Sequence, residues 1–571
     1  MAAMKHVRLL CVLAVIACAG SESTSGGSSG GTLVIAAGGD PDVLIPLLAS
    51  SVQASEITDL VYDRLADIGD SLNTLGDAGF TPHLADHWTW SRDSLSIAFH
   101  IDQRARWHDG QPVRSSDVKF TFQSARDSTL GSQFASLITN IDSVTVPDSA
   151  TAVFWFHRRT PEQFYDATYQ IRIMPEHIWK GIAPSGWRAS EAAKHPIGSG
   201  RFRFSRWTPR ASVEIVADTT NYRGAPKLSR VVWSIAPDFN TAFTRFLSGE
   251  ADVFETLRPD NLAEVAKHPN LRVRTYKGLG YFFALFNLRD PVNHARPHPL
   301  FGDRNLRRAL TMAVDRKSIV RSAFDSLGVP ALGPTVRSYP TTDPNLPQIP
   351  FDPARAKQLL DSIGWKDSNG DGIRERNGRQ LEFTLTAPST SKVRVQMATI
   401  IQEQLRQVGA KVDLEQIDFR AIIDREHKRN FDAVMHAWNT DPSPGSARGS
   451  WGTAGSRAAN GNNYGSYESP VFDAYLDSAL ASFDPTTRKA YFTRAYETII
   501  DDAPAIWLAE SRPALGYNSR LELAPLRSDA WWAHIADWSI PPDKRIPRDN
   551  APVETIAPAA APAPAAAPKT P

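Results

Sequence analysis

A chain of 571 residues is longer than one hydrophobic core usually serves, about 250–300 residues, so more than one domain is expected. Its formal charge of +1, with 22% charged and 42% hydrophobic residues, gives no electrostatic ground for nucleic acid or an anionic membrane surface as partner. The 15 tryptophans call for large apolar contacts or aromatic binding surfaces.

The first element is a leader. Lys5 and Arg8 precede an apolar run, 9–17, that is too short to span a bilayer, which takes about 20 residues. Val15-Ile16-Ala17-Cys18 resembles a bacterial lipobox, with cleavage before Cys18 and lipid attachment to it; the alternative is a plain secretory signal with an incidental cysteine. Residues 1–17 are then the signal and 18–31, rich in Ser and Gly, a flexible tether. The two cysteines of the chain, Cys11 and Cys18, both fall here, so no disulfide is expected in the mature protein. At the other end, 546–571 reads as a disordered Pro/Ala-rich tail.

Between these ends strands and helices alternate. TLVIAA (32–37) reads as a buried strand, and 55–65 as a helix with Ile57, Leu60, Val61 and Leu65 on one face. Leu95, Ile97, Phe99 and Ile101 alternate with Ser96, Ala98, His100 and Asp102, the period of a half-buried strand. VVWSIAP (231–237) leads into a helix carrying Phe239, Ala242, Phe243, Phe246 and Leu247, closed by Gly249. In the second half, 351–365 has Asp352 as N-cap, Pro353 at the first helical position and Gly364 as stop. LEFTLTA, a helix over 393–408, KVDLEQI and FDAVMHAW follow. The alternation predicts α/β layers, with an added α+β portion in the strand-rich stretch 95–156.

Motifs for catalysis or metal do not hold up. His83 and His87 are four apart, but Leu84 stands where a zinc hydrolase places its glutamate. Asp367, Asn369, Asp371 and Gly372 open like a calcium loop, yet its twelfth position is Gly378, so a polar turn is expected. Gly198-Ser199-Gly200 reads as a turn, and no activated serine or thiol is present. No enzyme activity, metal or cofactor is therefore expected.

RARWHDGQPVRSSDVKFTF (104–122) carries Trp107, His108, Asp109 and Gly110, then Asp117 and Val118 opening a helix. With LVYDRLADI (60–68), PIGSGRFRFSRW (196–207), NLRRALTMAVDRKSIV (305–320), FDAVMHAWNTDPSP (431–444) and NYGSYESPVFDAYLDSA (463–479), this resembles the extracytoplasmic solute-binding proteins of the peptide/nickel class. These are family 5, similar to dipeptide- and oligopeptide-binding proteins, and serve ABC importers.

The resemblance implies a two-lobed periplasmic-binding-protein type II fold of the α/β class, with an extra α+β subdomain inserted in lobe one. Lobe one would cover 32–286 with the insertion at about 58–172, lobe two 287–502, and 503–545 would return to lobe one. It also implies that Asp441, three residues after Trp438, holds a ligand ammonium, with Trp438 as a wall and Asn463 and Tyr281 as further ligand contacts. The expected function is a monomeric, lipid-anchored receptor that captures a small solute, a short peptide foremost, and hands it to permease subunits. The alternatives are a sensor or chaperone on the same fold, or a non-peptide solute such as a nickel complex or sugar.

Overall fold

The computed structural model describes residues 30–458 and 461–552; Cys18, the signal and most of the tether lie outside them. Among the described residues no helix is long and apolar enough to cross a membrane.

Lobe one is built on a seven-stranded sheet, in the order Leu271–Thr275, Ala514–Asn518, Val253–Phe254, Thr32–Ala37, Arg230–Ile235, Ser212–Ala217, Phe202–Thr208. Thr32–Ala37 pairs in parallel with both neighbours and is buried along its whole length. That is why TLVIAA shows no alternation: a strand covered on both faces reads as a continuous apolar run.

Lobe two has a six-stranded sheet, Gly328–Pro330, Ala505–Ser511, Gly280–Phe286, Ala433–Asn439, Glu382–Pro388, Lys411–Ile417. Its strands split their side chains by the period of two. Ala284, Phe286, Met435 and Leu508 face the helices Arg304–Met312, Arg316–Phe324, Pro353–Ser362 and Lys392–Arg406. Tyr281, Phe283, Val434 and Trp507 face Pro470–Ala481 and Pro485–Asp502. The helix Pro353–Ser362 starts as expected, with Asp352 Oδ1 accepting from Arg355 N at 2.8 Å.

The lobe boundaries differ from expectation. Gly280–Phe286 and Ala505–Ser511 were placed by sequence in lobe one, but both hydrogen-bond within the lobe-two sheet. The crossings are therefore 276–279 and 512–513, which run side by side, with Tyr276 N donating to Pro513 O at 3.1 Å. Gly278 permits this approach: a Cβ there would sit 3.0 Å from Pro513 Cδ. A strand is legible from its period, whereas the sheet it joins is decided by long-range pairing.

The insertion is a four-stranded antiparallel sheet, Ala85–Trp90, Ser96–Ile101, Thr151–Phe156, Ile141–Thr145, backed by the helix Ser115–Arg126. Its limits also move. The helix Val52–Val61 packs on the lobe-one strand Phe202–Thr208, so the insertion begins after it. Past 172, Glu176–Trp179 packs on Ser115–Arg126 and Trp187 stacks on Phe120, extending it to about 195.

The Trp-His-Asp-Gly segment joins the insertion to lobe one. His108 N donates to Gly198 O at 2.8 Å, and its ring accepts from Gly198 N and reaches Gly200 O at 2.9 Å. Burial pushes the His108 imidazole down to about 4, so it is neutral, as a ring that accepts at one nitrogen and donates at the other must be. Asp117 sits at the third helical position rather than as the cap, accepting from Arg114 N, Glu176 N and Trp107 Nε1.

The C-terminal boundary is corrected as well. Residues 546–550 are part of the fold, since Asp549 accepts from Thr32 N at 2.7 Å and pairs with buried Arg520 at 2.6 Å. Arg520 also pairs with fully buried Asp252, which accepts from Val34 N. This knot fastens the chain's end to its first strand, and nothing in a short polar segment announces a partner more than 500 residues away.

Candidate functional site

A cavity of about 620 Å³ lies between the lobes. Lobe one contributes the ends of its parallel strands: Ala36, Gly38 and Gly39 after Thr32–Ala37, and Phe254 and Glu255 after Val253–Phe254. Open α/β sheets place ligand sites beyond the carboxyl ends of such strands. Lobe two contributes Gly280, Asn439 and Thr440, and the crossings contribute Tyr276, Gly278, Leu279 and Pro513.

Trp531 and Trp532 complete the wall and are fixed by their indole N–H groups. Trp531 Nε1 donates to Glu255 at 3.1 Å, Trp532 Nε1 donates to Asp59 at 2.9 Å, and the two rings meet edge to face. Asp59 in turn is held well below the usual carboxylate range by Arg172 and Arg64, against the effect of its burial. Asp529, also in the wall, is matched by Arg527 at 2.7 and 3.2 Å and by the Tyr169 hydroxyl at 2.8 Å.

Asp441 follows directly on Asn439 and Thr440 and sits at the seam between lobe two and the insertion. Its Oδ1 accepts from Ser443 N at 2.9 Å, and its carbonyl accepts from the Tyr339 hydroxyl at 2.8 Å. Across the seam the helix Gln163–Thr168 and the residues next to it bring Glu162, Asp166 and Gln170 to bear on it. Burial first, and the Glu162 charge second, push the Asp441 carboxyl up from 3.8 to about 7; Asp166 is raised for the same reasons. The Tyr165 hydroxyl, buried beside them, has no hydrogen-bond partner.

Glu162 locks this seam. It accepts from Arg488 Nη2 at 2.5 Å and from Ser443 Oγ at 2.7 Å, both in lobe two, and from Thr74 Oγ1 at 2.6 Å within the insertion. Arg159 lies over the Phe483 ring at 4.3 Å, a second contact across the same seam. Glu162 and Arg159 thus join the insertion to lobe two.

None of the four expected ligand contacts lines the cavity; Asp441 lies at the seam, next in sequence to the wall residue Thr440. Tyr281 is buried, its hydroxyl accepts from Trp451 Nε1 at 3.0 Å, and its ring packs on Phe283 and Trp507. Asn463 is buried in its own loop, donating to Gly452 O and Tyr467 O and accepting from Tyr467 N. Trp438 stacks on Tyr464 and His436, on the face shared with Tyr281, and is not among the wall residues. Of the four, Asp441 alone reaches the seam. Strand period groups Tyr281 with Trp438 correctly, but Trp451 and Tyr464 cover that face.

His83 and His87 do not converge. His83 contacts Arg223 while His87 stacks on His100 on the insertion's outer face. Asp367 spends its oxygens on the backbone N–H groups of Gly370 and Gly372, as a polar turn does.

Glu255, Gln53, Trp531 and Trp532 went unnoticed in the sequence. Two signals pointed to them: a charged residue at the carboxyl end of a buried strand, and adjacent tryptophans in a stretch without period.

Comparison with known proteins agrees with this architecture. The oligopeptide-binding protein AppA of Bacillus subtilis (strain 168) is 27% identical over 555 residues, spanning 93% of this chain and 98% of that protein. The nickel-binding periplasmic protein of Escherichia coli (strain K12) is 25% identical over 471 residues, spanning 79% of this chain and 86% of the other. The structure of B. subtilis AppA in complex with a nonapeptide superimposes with a TM-score of 0.71 at 24% identity, covering 90% and 99% of the two chains. Residues 79–460 match the family described as bacterial extracellular solute-binding proteins, family 5 Middle. Two lobes, an insertion and a cleft between the lobes are thus the build of a binding protein, and the chain belongs to the family 5 bacterial extracellular solute-binding proteins.

Proposed function

We propose that the chain is the solute receptor of an ABC importer, that it encloses a short peptide, and that Asp441 receives the peptide's α-ammonium. The observation that carries this is the seam itself. Asp441 and Asp166 belong to different bodies, both are pushed toward the neutral acid by burial and by Glu162, with Arg158 partly opposing this at Asp166, and Arg488, which reaches across the seam, is taken by Glu162. An ammonium placed there replaces a bound proton with a charge-assisted hydrogen bond, and it touches two bodies at once. Ligand contact to both sides is what makes closure favourable, because a ligand shifts an equilibrium only by its differential affinity for the two states.

The oligopeptide-binding relative supports a peptide as cargo. The lipobox-like Val15-Ile16-Ala17-Cys18 supports attachment through Cys18, which would keep the loaded receptor near its permease. The role is binding and delivery rather than catalysis.

Native mass spectrometry of the chain purified without refolding tests the reading. Mixed masses of short peptides are expected to co-purify, and Asp441→Asn, which keeps the acceptor for Ser443 N, is expected to shed them. Peptides retained by the variant would remove Asp441 from the site, and a single nickel-containing or sugar mass would replace the cargo.

A further inference from the structure

We propose that the lobe-one wall of the cleft selects peptides bearing a basic side chain, with Glu255 as the receiving carboxylate and the rings of Phe254, Tyr276 and Trp531 around it. This deepens the peptide-receptor reading and rests on it.

Glu255 lines the cavity and is only partly buried. Its Oε2 accepts from Trp531 Nε1 at 3.1 Å and its Oε1 from Gln53 Nε2 at 3.4 Å. Both donors are neutral, so they orient the carboxylate without cancelling its charge. Among the described residues that line the cavity none is Lys, Arg or His. Asp529, the other acid in the wall, already has Arg527. The basic residue closest in sequence, Arg258, lies against the ring of Phe239, a wall residue, at 3.6 Å and is not itself in the lining.

Behind Glu255 stands a second carboxyl, Glu56, within hydrogen-bonding reach of Glu255, Trp233 and Trp531. Glu56 is fully buried; its Oε2 accepts from Trp233 Nε1 at 2.7 Å, while its Oε1 has no donor. Buried polar atoms without a partner are rare and need a reason. Burial and the neighbouring Glu255 hold the Glu56 carboxyl well above its usual range, so it keeps its proton. Of the two carboxyls, Glu255 is the one that faces the cavity.

A guanidinium or alkylammonium entering from the ligand meets this partly buried carboxylate, and the ligand itself displaces water from the pair, where a charge-assisted hydrogen bond is stronger than a neutral one. The surrounding rings add their negative faces to the attraction for a cation and pack the aliphatic stem. An acidic side chain at the same place meets only repulsion. The preference is a property of lobe one, separate from the ammonium at Asp441, which belongs to lobe two.

Matched short peptides of several lengths, identical except for one position carrying Arg, citrulline or Glu, test this on the full chain by titration calorimetry. Citrulline keeps the shape of arginine and removes its charge. The Arg peptides are expected to bind about tenfold more tightly than the citrulline ones, the worth of one charge-assisted hydrogen bond, with the Glu peptides weakest. Glu255→Gln, which keeps one amide oxygen as acceptor for Trp531 while its amide nitrogen can face the side-chain oxygen of Gln53, is expected to abolish the Arg-over-citrulline difference. Equal affinity for Arg and citrulline in the native protein overturns the inference and leaves the peptide receptor standing. An undiminished Arg preference in Glu255→Gln also overturns it. Failure to bind peptides of any length overturns both readings together.

Discussion

Replacing Glu162 by Gln should open the molecule. In the structure the Arg488 side chain is 1% exposed, its Nη2 donates to Glu162, and its Nε and Nη1 have no partner. Glu162 is therefore the anion on which this buried guanidinium depends. Removing one partner of a buried ion pair costs about 3–5 kcal/mol, because the remaining charge stays desolvated. That penalty falls on the closed form, since Arg488 sits on lobe two and Glu162 on the insertion, and separation of the two bodies returns Arg488 to water. Gln keeps neutral hydrogen bonds to Ser443 and Thr74, so the lower end, about 3 kcal/mol, is the better figure. At 1.4 kcal/mol per decade this shifts the open–closed equilibrium by about two orders of magnitude. Ligand affinity should fall by up to the same factor, because the competent state is populated that much less.

Single-molecule energy transfer between a label on the insertion and one on the helix Pro485–Asp502 reads the equilibrium directly. A second readout separates the latch from general destabilisation. The Glu162 charge is one of the two forces raising Asp441, so the variant should also bring the Asp441 midpoint below about 7. An unchanged interlobe distance together with a large loss of thermal stability would refute the reasoning, for the pair would then hold the fold rather than the closure.

Two further outcomes follow from the same geometry. Asp441 is raised from 3.8 to about 7, so its contribution to the stability of the closed, empty form is complete below its unfolded value and is lost as pH rises through about 7. Binding an ammonium needs the carboxylate and runs the other way: affinity measured by calorimetry should weaken about tenfold from about pH 8 to about pH 6, with proton release on binding. Stopping the chain after Arg545 removes Arg548 and Asp549 and leaves Arg520 and Asp252 short of partners, so the melting temperature should drop by several degrees, about 3 kcal/mol or more; an unaltered melt would return 546–552 to the status of a tail.

Much of the fold was legible because its signals are local. The capped helix at Asp352-Pro353 and the polar turn at 367–372 each depend on residues within a few positions of one another, and the structure has them as expected. That Asp441 stands just past a strand end was legible for a similar reason; its role as a ligand contact is what the family resemblance implies. The remaining site residues meet over long separations. Trp531 and Glu255 are 276 residues apart, Trp233 and Glu56 177, and Arg488 and Glu162 326. No periodicity links such positions. Tyr281 and Asn463 were misjudged for the complementary reason: residue type and position near a strand end suggest a ligand contact, but which loop covers a face is settled only by packing.

The distribution of charge ties the two halves of the site into one device. The seam collects three carboxyls, Glu162, Asp166 and Asp441, and Arg488 answers the first of them. An empty receptor that closes must therefore keep protons on the other two, and this becomes harder as the surroundings approach neutrality. A ligand ammonium removes that requirement by supplying the cation, so closure is cheapest when the cargo is present. Glu255 extends the same logic across the cleft. It faces the cavity from lobe one, whereas the proposed ammonium site lies between lobe two and the insertion, so a ligand cationic at both ends would draw lobe one toward the other two bodies. Such a receptor presents its closed shape to a permease mainly when loaded, and the discrimination comes from carboxylates left short of cations rather than from any contact that the empty protein can make by itself.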